Sequence, residues 1–237
     1  MATFVIVHGA FGGAWSWNKL VVPLLRQAGH EVHAVTLTGL GDRDHLATPD
    51  TDLNTHIQDV VNVLFYEDLH NVILAGHSYG GMVITGVADR VPERLQQLVY
   101  LDAATPVSGT RLLDRAPGRF GDMVRAAEQD GDGWRIPVGP VPTDQPAAIT
   151  EWATPRRVMQ PVKTFTQPLT LKHGDTKLPR SLVYCTLEKD PSSAPAVRAA
   201  EIKSDPSWRY FELETGHNLH YSAPEETVAI LTSLAAG

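Results

Sequence analysis

Val72-Ile-Leu-Ala-Gly-His-Ser-Tyr-Gly-Gly81 decides the fold. An apolar run ends at Gly76, and MVITGVADRV, with helical spacing, follows Gly81. Between them stands G-x-S-x-G, Gly76 to Gly80, in the strand–turn–helix context that gives this pattern meaning. Strand and helix approach closely there, so the positions two before and two after the serine must lack bulk, which suits Gly76 and Gly80. The turn lifts the Ser78 hydroxyl above a sheet edge. It also leaves the Tyr79 amide at a helix N-terminus, where N–H groups have no partner inside the helix. A glycine-rich turn with an incidental serine would have the same local sequence, so the rest of the chain has to decide.

Outward from this stretch, short apolar runs alternate with helical patterns. Thr3–Val7, Glu31–Leu37, Val72–Ala75 and Leu98–Leu101 read as strands, and Ser181–Thr186 and Trp208–Leu213 resume the series. A helix is expected from Ser16 or Trp17 to Ala28, closed by Gly29. A second, capped by Asp50 or Asp52, carries Leu53, Ile57, Val60, Val61 and Leu64 on one face. Ser222 and Glu225 have the spacing of a capping box for a terminal helix. Alternation of this kind implies an α/β protein, a mostly parallel sheet with helices on both faces. The segment 107–179, rich in proline and glycine yet retaining aromatics, breaks the rhythm. The expected organisation is a core of residues 1–106 and 180–237 with 107–179 inserted as a cap.

The 237 residues, 43% apolar and 20% charged, suit one large globular domain. Twenty basic against twenty-seven acidic residues give a net charge of −7 without basic runs, which argues against nucleic acid or anionic membrane as partner. Cys185 is the sole cysteine, so no disulfide framework or thiolate metal cluster can form. The chain enters a strand at once, without a charged leader, and no apolar run approaches the roughly 20 residues of a membrane span. A cytoplasmic protein, monomer or homodimer, is expected.

A serine hydroxyl needs a base, and the base a carboxylate to orient it. Reacting groups of a parallel sheet gather beyond the carboxyl ends of its strands. His217 follows the last strand and Asp190 the one before, so the order Ser78, Asp190, His217 gives nucleophile, acid and base. Glu188 on the same loop and Asp102 after the preceding strand are the rival acids. His8 is expected to shape its loop, and His77 to point away from the Ser78 hydroxyl. His30, His33, His45, His56, His70 and His173 look like surface or loop residues. His217 and His220 lack the further ligands of a metal site, so no metal or cofactor is expected. Two amides should face the developing oxyanion: Tyr79 N–H from the turn and Ala10 N–H from the loop after the first strand, where Gly9 lets the backbone turn. Phe11, Trp134, Trp152 and Phe165 are candidate substrate contacts, with Met123 and Met159 as adaptable neighbours.

The stretches FVIVHGAFGGAWSW, LTGLGDR, DLNTHIQDVVNVL, VILAGHSYGGMVI, LVYLDA and GHN together resemble the compact α/β-hydrolases. They are most similar to the group of plant methyl-ester esterases, hydroxynitrile lyases and small bacterial carboxylesterases. The H-G-x-x-x-G-x-W loop joined to GHSYGG carries most of the resemblance. It implies a triad of Ser78, Asp190 and His217, oxyanion donors at Ala10 and Tyr79, and a small-molecule ester as substrate. The S-selective lyases of the group have lysine after the catalytic histidine and threonine after the first-strand histidine. This chain has Asn218 and Gly9. The expected activity is therefore that of a serine carboxylesterase on small apolar esters. Carbamates, pyrethroid-type esters or lactones are alternative substrates. The same fold could also serve as a hydroxynitrile lyase or a non-catalytic ligand-binding protein.

Overall fold

The computed structural model describes residues 1–140, 145–187 and 190–236. Six strands form a parallel sheet: β1 (Thr3–Val7), β2 (Glu31–Val35), β3 (Val72–His77), β4 (Leu95–Leu101), β7 (Arg180–Cys185) and β8 (Trp208–Leu213). A two-residue ribbon pairs β5 (Arg135–Ile136) with β6 (Gln160–Pro161). The sheet order is β2-β1-β3-β4-β7-β8, so the strand sequence reverses direction between β1 and β3. That is the switch point at which α/β sheets open a crevice for ligands. Register brings the working ends level: Val7 pairs with Gly76 and His77 with Leu101. His8, Ser78 and Asp102 therefore leave the sheet side by side.

Period-two side-chain alternation splits the core. Val5, Val7, Leu74 and Leu98 face one side, packed with α3 (Leu53–Tyr66) and α4 (Gly80–Arg90). Phe4, Ile6, Ile73 and Val99 face the other, under α1 (Ala14–Asn18), α2 (Val21–Gln27) and α10 (Pro224–Ala236). Each such fully buried aliphatic or aromatic side chain contributes roughly 1.5–3 kcal/mol. Among the described residues no helix is long and apolar enough to cross a membrane.

Several expected boundaries move. The single helix expected over 16–28 is two, interrupted around Lys19 and Leu20. Pro23 lies in the first turn of α2, where its missing N–H costs nothing, so the chain restarts a helix there. Asp52, not Asp50, caps α3: its carboxylate accepts from Thr55 N at 2.8 Å, while the Thr55 hydroxyl receives the Asp52 N–H. Ser222 does not cap α10. It closes α9 (Leu219–Ser222), and its hydroxyl is shared with Thr215 at 2.6 Å and the Asn218 carbonyl.

The segment between β4 and β7 is more regular than its composition suggests. It holds α5 (Pro117–Asp130), α6 (Ala147–Ala153) and α7 (Lys163–Thr166) besides the ribbon. Proline starts α5 at its first position, and only Ala127 of that helix is fully buried. The segment is anchored to the loop after β1. Gln160 accepts the Phe11 N–H at 3.0 Å, the Phe11 carbonyl accepts from Val158 N at 3.1 Å, and Phe165 packs on Phe11 and Tyr79. After β7 the chain continues into α8 (Ala194–Lys203).

Candidate active site

Ser78 has φ +54, a conformation a side chain tolerates poorly and one that marks stored strain at functional turns. The geometry explains both flanking glycines. A Cβ on Gly76 would stand 2.6 Å from the Gly80 carbonyl oxygen, and one on Gly80 would stand 2.7 Å from the Val7 carbonyl oxygen. The turn is tied to β4 by Ser78 N donating to the Leu101 carbonyl (3.3 Å) and Ala104 N donating to the Ser78 carbonyl (2.9 Å).

His217 Nε2 lies 2.9 Å from Ser78 Oγ, and its Nδ1 lies 2.5 Å from Asp102 Oδ2. A carboxylate can only accept, so Nδ1 carries the proton and Nε2 is left bare toward the serine hydroxyl. Asp102 is buried (1% exposed), whereas the histidine stays 42% exposed at the cleft. The carboxylate is fixed at φ +45, with its own N–H on the Val183 carbonyl and its Oδ1 accepting from Cys185 N.

The expected acid, Asp190, is not at the histidine. It is exposed, and its Oδ1 is occupied by the Ser192 N–H (2.8 Å) and hydroxyl (2.7 Å) in a turn ahead of α8. Hydrogen bonding to Ser192 lowers its pKa. The physical reason for the exchange is sheet order: β4 adjoins β3, so Asp102 leaves the sheet beside the serine. β7, which leads to Asp190, is one strand further out. Glu188, the other rival, lies outside the described residues.

The two expected oxyanion donors flank the cleft. Ala10 and Tyr79 both line it, and neither amide donates to another described residue. His8 orients the first of them. Its Nδ1–H donates to the Gly9 carbonyl at 2.7 Å, and its Nε2 accepts from Leu37 N at 3.1 Å. The Gly9 carbonyl and the Ala10 N–H belong to one trans peptide and point opposite ways, so holding the carbonyl toward His8 turns the amide outward. His8 is thus a loop-shaping residue, and burial lowers its pKa to about 4.

His56, expected at the surface, is buried. Nε2–H donates to the Thr38 carbonyl and Nδ1 accepts the Tyr79 hydroxyl, both at 2.8 Å. It fixes the ring of Tyr79, whose amide is the second of the expected donors. The helical spacing of His56 beside Leu53 and Ile57 placed it on the inward face, and that was the signal available in the sequence. His77 points away from the serine hydroxyl, and its Nε2–H donates to the His217 carbonyl at 2.9 Å. His220 is buried, stacked on Trp17 at 4.7 Å and edge-on to His77. No group of three or more metal-ligating side chains occurs among the described residues.

The cleft encloses about 1170 Å³. Phe11, Phe165, Phe120, Met123 and Ile136 line it. Trp134 and Trp152 do not. Trp152 packs on Trp15 and Tyr221 beneath Lys19 and Arg156, and Trp134 lies under the Arg135 guanidinium. Each ring instead takes a cation–π contact, worth about 0.5–1 kcal/mol at an exposed site. A Cβ on Gly9 would come within 2.9 Å of His77 Nδ1 and 3.1 Å of Ser78 Cβ, so this chain has no room for the threonine of the lyases without a shift.

A hydroxyl on a left-handed turn, an imidazole at that hydroxyl and a buried carboxylate behind it, on a parallel α/β sheet, make up a serine-hydrolase type of centre. The alpha/beta hydrolase family model matches residues 4–230, and the chain belongs to that family. It is 36% identical to the carbendazim hydrolyzing esterase of Nocardioides sp. (strain SG-4G), over 99% of this chain and 100% of that protein. An alpha-hydroxynitrile lyase of Arabidopsis thaliana is 34% identical over 55% of this chain, which spans about half of that protein (53%). Among solved structures, an extracellular alpha/beta-hydrolase from a Paenibacillus species superposes with a TM-score of 0.85, covering 98% of each chain at 21% identity.

Proposed function

We propose that this protein is a serine carboxylesterase acting on small, fairly apolar esters, with Ser78 as nucleophile, His217 as base and Asp102 as the orienting acid. The observation that carries the reading is the continuous relay Asp102–His217–Ser78, with bare Nε2 at the hydroxyl. His217 takes the Ser78 proton as Oγ attacks the ester carbonyl. The resulting oxyanion is held by the Ala10 and Tyr79 amides. When the tetrahedral intermediate collapses, the imidazolium gives its proton to the departing alcohol oxygen and the acyl group remains on Ser78. Water, deprotonated by His217, then attacks the acyl carbonyl, and the carboxylic acid leaves as Oγ regains the proton. Asp102 stabilises the imidazolium in both halves.

The apolar rings around the cleft and the relation to a named esterase support an ester with at least one apolar side. The test is nitrophenol release from short acyl nitrophenyl esters. Wild type is expected to turn over and Ser78→Ala to fall to the uncatalysed rate, and equal rates in both would overturn the reading. Cyanide release from mandelonitrile would point to the lyase activity instead.

A further inference from the structure

A second cavity, of about 350 Å³, lies beside the catalytic cleft, between the chain leaving β4 and the start of α8. Its wall is mainly apolar, with Met82, Ala104, Leu182 and Ala199 among its residues. Leu112, Arg115 and Pro195 line both spaces, so cavity and cleft meet there. Arg115 stands half-buried at the junction, and its guanidinium makes no hydrogen bond or ion pair to another described residue. The neighbouring charges are engaged: Arg111 with Asp114 at 2.6 Å, Arg198 with Glu201 at 2.9 Å, and Asp102 with His217. Burial works against the Arg115 charge, and Asp102 offsets part of that cost. A partly desolvated guanidinium at the mouth of an apolar cavity presents a planar fork of donors, the geometry that a carboxylate fills.

We propose that this side cavity binds an apolar monocarboxylate, with the carboxylate on Arg115 and the hydrocarbon body between Met82 and Leu182. The acid released by ester hydrolysis is a molecule of this class, formed at Ser78 on the other face of the same junction. This link to product rests on the esterase reading, but binding of the acid does not. Retention there makes the acid product an inhibitor, and the alcohol product not.

The experiment is calorimetric titration of the Ser78→Ala protein, which cannot turn over, with octanoate and with octanol. Octanoate is expected to bind, and more tightly than octanol. Arg115→Met is expected to weaken octanoate about tenfold or more, the cost of a charge-assisted pair, and to leave octanol nearly unchanged. Ala199→Phe, which puts a ring into the cavity, is expected to weaken octanoate as well. Ala194→Phe serves if that variant does not fold, as judged by circular dichroism and urea midpoint. Octanoate that binds no better than octanol, or that is indifferent to either substitution, overturns the proposal. Ester hydrolysis by wild type without octanoate binding removes the cavity proposal alone, and octanoate binding without hydrolysis removes only the link to product.

Discussion

His77 holds His217 through the main chain. Its Nε2–H on the His217 carbonyl fixes the loop that carries His217, while its ring packs 4.7 Å from the His217 ring. Removing that donor frees the loop that carries His217. His77→Phe should lower kcat about tenfold, the worth of one buried hydrogen bond, with KM little changed. His77→Gln, which keeps a donor, should recover part of the loss. Steady-state kinetics on a nitrophenyl ester checks this, and an unchanged kcat in His77→Phe would contradict the role. The direction of His77 away from the serine hydroxyl was legible in the turn itself, because a strained serine fixes its neighbours. Asp102 was not legible as the first choice. Chain order names Asp190 and Asp102 equally well, and the choice depends on β4, not β7, lying next to β3. Strand adjacency is long-range pairing that local sequence does not encode. Trp134 and Trp152 failed for a related reason: aromatic content marks a segment that packs, but not which face of it meets the cleft.

Helix α3 shows how a single element ties the sheet, the segment between β4 and β7 and the site together. Asp52 caps it, and its second oxygen accepts from Gln167, between β4 and β7, at 2.8 Å. One turn on, His56 reaches Tyr79, and Asp59 receives the Thr38 N–H at 2.7 Å and the Thr38 hydroxyl at 2.8 Å. Asp52→Ala should therefore destabilise the protein by about 1–2 kcal/mol, the cap plus one interaction. Urea unfolding checks it, and a midpoint equal to wild type would show that the cap is dispensable. The strands and α3 were readable because burial on one or both faces imposes a period. The break between α1 and α2 and the use of Ser222 in α9 were not. Both turn on which hydrogen-bond partner wins among several close in sequence.

At the scale of the molecule, the site is built on neutral buried histidines. Burial lowers the pKa of His8 and His56 to about 4 and that of His77 to about 3, from an ordinary 6.5. Well above pH 6.5 folded and unfolded chains both keep these rings neutral, and they add no pH dependence. Below it the unfolded chain takes up protons that the folded chain refuses, so stability falls as pH drops from 6.5 toward 4. At pH 5 each ring costs up to about 2 kcal/mol. The urea midpoint should fall clearly between pH 7 and pH 5, and an unchanged midpoint would contradict the buried neutral state. The central claim is that two strand ends and one loop assemble Ser78, Asp102 and His217 into a working nucleophile. It is tested most directly by the rate at which a fluorophosphonate labels Ser78, followed by mass spectrometry of the Ser78 peptide. The account predicts rapid labelling in wild type and Asp190→Asn, and a rate about three to four orders of magnitude lower in Asp102→Asn. An unlabelled Ser78 in wild type, or loss of labelling in Asp190→Asn with Asp102→Asn unaffected, would contradict it.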